Sequence, residues 1–190
     1  MSDDPADRRI IRLVRHGRAA AGWNVDPDPD LDDLGRQQAA QVAAQLLEFG
    51  NLTVISSPLL RCRSTAEAYA DLTRQPVAIE PSVAEIPSPE GIEMADRVDW
   101  LRAAMQGTWS DLGGRYVSYR DTIASYVRGC ADDTVIFSHF VAINAVIGAC
   151  LGDDSLVIRS LDNCSVTTVA VDSAGLHLVE GGSEADTLIR

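Results

Sequence analysis

The sequence predicts an α/β protein, a three-layer α/β/α sandwich on a mainly parallel sheet with an antiparallel edge. Three observations lead there. Short runs rich in β-branched residues alternate with longer segments in which apolar residues recur every three or four positions. That alternation implies parallel strands joined by helices, with both sheet faces covered. The last two strand-like runs are separated only by a turn, so they form an antiparallel pair.

Residues 1–9 are expected to be frayed, being a polar terminus with nothing to pack. Ile10-Ile11-Arg12-Leu13-Val14 reads as a buried strand, with Gly17 close behind it. Asp26 to Asp33 contains two prolines and five aspartates and is read as a solvated loop rimming a pocket. Asp32 or Asp33 caps the next helix, since a short carboxylate can accept from free N–H groups there. From Leu34 to Phe49, Ala39, Val42, Ala43, Leu46 and Leu47 form one apolar face and Gly50 stops the helix. Thr53 to Ser56 is a second strand. Leu59 to Leu72 is a second helix, with Pro58 suited to its first turn, and Pro76 to Ile79 is a third strand. A proline-rich loop from Ser82 to Glu90 precedes expected helices at Ile92–Met105 and Tyr116–Cys130. Thr134 to Phe137 is the fourth strand, and Phe140 to Leu151 an apolar helix ended by Gly152. Val166–Val171 and Leu176–Val179 close the chain around Asp172-Ser173-Ala174-Gly175.

One domain over 1–190 is the expectation, with 85–133 as a helical lid insertion. A chain of this length buries enough surface to need no disulfide or metal staple. Its net charge is −12, and all 16 basic residues are arginine. The absence of lysine excludes Schiff-base chemistry and a Walker-type lysine. The negative balance argues against nucleic acid and anionic membrane as partners, and no apolar run is long enough to span a bilayer. A small anion in a local arginine pocket stays possible. Cys62, Cys130, Cys150 and Cys164 are scattered and have no zinc spacing. Without an export signal at the start, reduced thiols and a cytoplasmic location are expected. Oligomeric state is not legible in the sequence.

In open parallel sheets, ligands bind at the carboxyl ends of the strands. Arg15-His16-Gly17-Arg18 follows the first strand, Ser57 to Arg61 the second, Glu85 lies beyond the third, and Ser138-His139 ends the fourth. Two histidines, two or three arginines and a carboxylate therefore converge on one sheet edge. That set suits phosphoryl chemistry. A neutral imidazole is nucleophilic near neutral pH and can take a phosphoryl group covalently. Arginine forks match the phosphoryl oxygens and keep their charge, so neither a metal nor another cofactor is required. A carboxylic acid can protonate the leaving oxygen and then deprotonate water.

Leu13-Val14-Arg15-His16-Gly17 resembles the signature of the histidine phosphatase superfamily, the phosphoglycerate mutase-like or RHG proteins. Asp33-Leu34-Gly35-Arg36-Gln37-Gln38-Ala39, Ser56 to Ala66 and Val135-Ile136-Phe137-Ser138-His139 resemble further motifs of that family, in the right order. The resemblance implies that His16 is the phosphorylated nucleophile, that Arg15 and Arg61 bind the phosphoryl oxygens, and that His139 donates another hydrogen bond. It implies Glu85 as proton donor, with Glu90 the competing carboxylate, and Gly17 as a point of close backbone approach to phosphate. Arg18 stands where the family often has Glu, Gln or Thr; substrate contact and exposed surface are both open for it. Asn24 is a candidate substrate contact, displaced from the family's usual asparagine position. Phe140 replaces a frequent glycine and predicts a bulkier, apolar pocket wall. His177 and the helix residues Arg36 and Arg63 are read as structural or solvated.

The expected activity is hydrolysis of a small phosphate monoester through phospho-His16. Mutase-type phosphoryl transfer, phosphohistidine removal from proteins, and a non-catalytic phosphate-binding module are the alternatives. The chain is short where mutases carry longer insertions, which favours hydrolysis.

Overall fold

A computed structural model describes residues 8–185. Of the stretch expected to fray, residues 1–7 lie outside that range. Arg9 instead opens β1 (Arg9–Arg15), pairing with Val171. Beyond β1 come β2 (Thr53–Ser56), β3 (Val77–Ile79), β4 (Thr134–Ser138), β5 (Val166–Asp172) and β6 (Gly175–Glu180). They form one sheet of order β3-β2-β4-β1-β5-β6. The first four strands are parallel, β5 runs antiparallel to β1, and β6 antiparallel to β5. The antiparallel edge is therefore the hairpin, as the turn at residues 172–175 requires.

Strand register fixes where the site lies. Arg15 is level with Ser138, and Ser56 is level with both Phe137 and Ile79. The next residues of β1, β2 and β4, namely His16, Ser57 and His139, thus leave the sheet at one edge.

Each face is covered because strand side chains alternate. On one face Val14, Val54, Val135 and Phe137 pack against α1 (Asp33–Leu46) and α2 (Leu60–Thr73) through Val42, Ala43, Leu46, Ala66 and Tyr69. On the other, Ile11, Leu13, Ile55 and Ile136 pack against α5 (Gly114–Arg128) and α6 (Phe140–Leu151). α6 is buried around its whole circumference from Phe140 to Gly148, which explains its near-continuous apolar sequence. α5 contributes Ile123, Ala124 and Val127 to this same core. Of segment 85–133, α5 is thus a layer of the sandwich, and only the part before it is free to cover the strand ends.

Several boundaries differ for identifiable reasons. α1 is capped by Asp32, whose carboxylate accepts from Gly35 N–H at 2.8 Å. α2 begins at Leu60, with Pro58 just outside it, and its first N–H donates to Asp28 at 2.7 Å. The helix expected from Ile92 starts later, as a 3-10 turn at Met94–Asp96 followed by α3 (Arg97–Ala104). Gly91, at φ 75°, breaks the preceding backbone, and neither turn has a side-chain cap. The connection after α3 contains a one-turn helix, α4 (Trp109–Leu112), nucleated by a reciprocal Thr108–Asp111 capping box.

Candidate active site

β1 ends in Arg15, and the chain then crosses the start of α1 at unusually short range. A Cβ on Gly17 would lie 2.5 Å from the Gly35 carbonyl oxygen, and one on Gly35 would lie 2.1 Å from the Arg18 carbonyl oxygen. Gly17 is therefore required by backbone packing against α1, a different reason from approach to phosphate. Its N–H donates to Thr65 Oγ1 on α2 at 3.1 Å, which ties the loop to the neighbouring helix.

His16 is buried, and its Nδ1–H donates to the Gly17 carbonyl at 2.8 Å. A carbonyl can only accept, so the proton sits on Nδ1 and the lone pair on Nε2. Arg61 Nε–H donates to that Nε2 at 3.2 Å. Burial, reinforced by the charges of Arg61 and Arg15, holds the His16 pKa well below the usual imidazole value, so the ring is neutral. His139 lies edge-on to it, with ring centroids 5.3 Å apart. Burial and the same two guanidinium groups depress its pKa as well. Arg61 NH2 donates to His139 Nδ1 at 3.2 Å, which leaves Nε2–H to donate to Ser57 Oγ at 2.7 Å. Both ring nitrogens of His139 are thus engaged by side chains before any ligand arrives.

Arg15 and Arg61 are only 5% and 6% exposed, an expensive placement for two like charges. Arg15 NH1 donates to the Leu161 carbonyl at 2.6 Å, and its guanidinium stands 5.1 Å from the Phe140 ring centroid. The bulky residue after His139 therefore supports an arginine. Burial lowers the Arg15 pKa to about 10, with Glu85 and Asp162 opposing, and the group stays charged at neutral pH. Arg15 Nε and Arg61 NH1 are buried without hydrogen-bond partners among the described residues. Buried guanidinium N–H groups left unpaired beside a neutral imidazole nitrogen suit an anion.

Glu85 follows the 3-10 turn Pro81–Val83, and that segment is pinned from two sides. Ser138 Oγ donates to the Val83 carbonyl at 2.7 Å, and Tyr119 Oη donates to the Ala84 carbonyl at 2.8 Å. The Glu85 side chain is 10% exposed and its Oε2 lies 3.9 Å from His139 Nδ1. Burial raises its pKa, with Arg61 opposing. Glu90 is exposed and pairs outward with Arg115 at 3.7 Å. Of the two carboxylates, Glu85 is the one beside the histidines.

The remaining candidates fall away from this cluster. Arg18 Nε donates to Asp32 at 2.5 Å, so its side chain braces the α1 cap. Asn24 is exposed in the turn after Trp23. The aspartate loop keeps exposed residues such as Asp28, and its carboxylates also brace the neighbouring helices: Asp28 accepts from the first N–H of α2, Asp30 binds Arg36 and Ser64, and Asp32 caps α1. His177 pairs with Asp172 in the hairpin at 3.0 Å. No group of three or more metal-ligating side chains occurs among the described residues.

Sequence reasoning missed the segment that holds the β1 end. Arg15 N–H donates to the Ser165 carbonyl, Cys164 N–H donates to the Arg15 carbonyl, and Asn163 Nδ2 donates to the His16 carbonyl at 3.0 Å. Cys164 takes a left-handed φ of 55° to make this turn. Further back, the buried Asn144 on α6 accepts from Ile158 and Arg159 N–H and donates to the Phe140 and Arg159 carbonyls. An asparagine inside an otherwise apolar helix was the available signal, since a buried amide demands partners.

The profile of the Histidine phosphatase superfamily (branch 1) matches residues 11–183. A protein of Escherichia fergusonii named "Probable phosphoglycerate mutase GpmB" is 27% identical over 183 residues, covering 84% of this chain and 83% of that one. Its namesake from Erwinia tasmaniensis is 28% identical over 185 residues with the same coverage. Among solved structures, the mycobacterial glucosyl-3-phosphoglycerate phosphatase superposes with TM-score 0.71 at 22% identity, over 93% of this chain and 100% of that one. The phosphoserine phosphatase of Entamoeba histolytica, as a mutant with phosphoserine, gives TM-score 0.72 at 22% identity, over 92% and 97%. Those two likenesses are of fold.

Proposed function

The chain belongs to the histidine phosphatase superfamily, and from that premise we propose that it hydrolyses small phosphate monoesters through a phosphohistidine on His16, without a metal. The observation that carries this reading is the His16 ring itself. Its Nδ1–H is committed to the Gly17 carbonyl, and its unprotonated Nε2 accepts from Arg61 Nε–H at 3.2 Å, a bond that an incoming phosphoryl group replaces. In the first step Nε2 forms a bond to phosphorus while the bond from phosphorus to the ester oxygen breaks. The departing alkoxide takes a proton from Glu85, which burial keeps protonated above the usual carboxyl range. The phosphorylated ring becomes cationic, and the Gly17 carbonyl stabilises the charge at Nδ1–H. Arg15 and Arg61 hold the equatorial oxygens, which is the role that a metal plays in other phosphoryl-transfer sites. In the second step Glu85 takes a proton from water, the water oxygen attacks phosphorus, and the P–N bond breaks to release inorganic phosphate.

Mutase-type transfer is a second reading, favoured by the names of the curated relatives. Incubation with 3-phosphoglycerate separates them: hydrolysis releases inorganic phosphate and glycerate, while a mutase yields the 2-isomer. The acid has its own test. Glu85→Gln should slow alkyl phosphates by about a hundredfold and nitrophenyl phosphate far less, since nitrophenolate leaves without a proton. Equal slowing of both would assign the proton to another group.

A further inference from the structure

We infer that Tyr119 is a positioning residue for the Glu85 acid, acting with Ser138 to fix the backbone from which that carboxyl reaches the histidines. The inference rests on the phosphatase reading above and concerns how its proton donor is held.

The acid stands at the last anchored point of its segment. Val83 and Ile86, on either side of it, are fully buried in the core. Beyond Ile86 come Pro87 and Pro89, which have no N–H to offer a partner. Glu85 is therefore aimed by the two peptide units before it. Each unit is planar, so holding its carbonyl oxygen also fixes the nitrogen and Cα that follow. Ser138 Oγ holds the Val83 carbonyl at 2.7 Å, and Tyr119 Oη holds the Ala84 carbonyl at 2.8 Å. The Tyr119 bond acts on the very plane that contains the Glu85 nitrogen and Cα. With the backbone so placed, Oε1 accepts from Ile86 N–H at 3.0 Å, and Val141 N–H in the first turn of α6 donates to the same carboxyl. Oε2 then lies 3.9 Å from His139 Nδ1.

Both anchors are themselves held. The Tyr119 ring packs on the core and lies 5.8 Å from the ring of the fully buried Trp109. Trp109 N–H donates to the Asp154 carbonyl at 2.9 Å, which fixes that ring in turn. Burial, with the Glu85 charge adding to it, holds the Tyr119 pKa well above the ordinary phenol value, so the hydroxyl stays a donor. Ser138 is buried at the end of β4, and its carbonyl accepts from His16 N–H at 3.0 Å while its hydroxyl holds Val83. One residue thus ties the backbone of the proposed nucleophile to the acid's segment, and Tyr119 ties the acid to α5. Each hydroxyl proton is spent on a carbonyl, so both residues act through Glu85 rather than on the substrate.

The test compares kcat/KM for propyl phosphate, whose alkoxide needs a proton as it leaves, with that for nitrophenyl phosphate, whose nitrophenolate needs none. This constant covers the steps up to release of the alcohol, before Glu85 is needed to activate water. Tyr119→Phe should slow propyl phosphate by about tenfold, the cost of a misplaced group, and nitrophenyl phosphate far less. Ser138→Ala should act in the same sense. A variant that merely loses folded protein slows both esters alike, so the ratio of the two separates positioning from stability. In a Glu85→Gln background, Tyr119→Phe should change that ratio no further. An unchanged ratio in Tyr119→Phe, or effects of Tyr119→Phe and Glu85→Gln on it that simply add, overturns the assignment. If the wild-type protein hydrolyses neither ester, the phosphatase reading fails. In that case, or if only nitrophenyl phosphate turns over, titration of the Glu85 carboxyl by infrared difference spectroscopy decides, with Glu85→Gln identifying the band. Tyr119→Phe should move that pKa down toward the ordinary carboxyl value as the group reaches water, and a pKa that stays in place overturns the positioning.

Discussion

The proton on His16 sits on Nδ1 because its partner, the Gly17 carbonyl, can only accept. That single bond leaves Nε2 unprotonated, the attacking atom of the proposed reaction, and burial, reinforced by the charges of Arg61 and Arg15, holds the ring's pKa well below the usual imidazole value. Glu85 is shifted in the opposite sense by burial. The proposed reaction needs His16 unprotonated and Glu85 protonated, so the shifts widen the pH window in which both hold. On the rising side kcat/KM should increase with pH through a value below the ordinary imidazole pKa of about 6.5. On the falling side it should decline through a value above the ordinary carboxyl pKa of about 4.3. Glu85→Gln should remove that decline, which separates it from ionisation of the substrate. A rising limb at or above 6.5 in the pH–rate profile would contradict the neutral, buried His16.

At the scale of elements, the site depends on how closely β1 and α1 cross. Neither Gly17 nor Gly35 can carry a side chain without moving a neighbour's backbone. Gly35→Ala should therefore cost about 2 kcal/mol and lower activity with it. Gly114, at the start of α5, has open space around it and no positive φ. Gly114→Ala should gain about 0.5 kcal/mol by restricting the unfolded chain. Urea midpoints of the two variants check both; equal midpoints would show that the β1–α1 crossing is slack. This crossing was half legible. The glycines stand in recognisable motifs, but their partner is a backbone carbonyl, and carbonyls leave no mark in a sequence. The same holds for the loop at residues 161–165, which reaches Arg15 and His16 from far along the chain. Where a contact is local, as in the Asp32 cap or the α1 apolar face, the pattern of residue types was enough.

Across the whole molecule, the charge is −12, yet the candidate site presents two buried guanidinium groups with N–H donors unpaired among the described residues. The alternation of strand and helix made the sandwich legible, because each parallel strand needs a crossover and each crossover carries its own periodicity. It also placed Arg15, His16, Arg61, Glu85 and His139 at one edge, since four of them stand within a few residues of a strand end. In sequence Arg18 was open between substrate contact and exposed surface, and Asn24 stood displaced from the family's usual asparagine position. Only the three-dimensional arrangement shows Arg18 spent on Asp32 and Asn24 exposed in its turn. Segment 85–133 was the least legible part, because uncapped helix starts and Gly91 blur its pattern. The central claim is covalent, so it is best tested by trapping. Protein mixed with a phosphate-labelled ester and quenched within one turnover should carry an acid-labile, base-stable phosphoryl group on His16, absent in His16→Ala, which should also lose turnover. Release of phosphate at full rate with no label on that ring, or undiminished turnover by His16→Ala, would contradict the account.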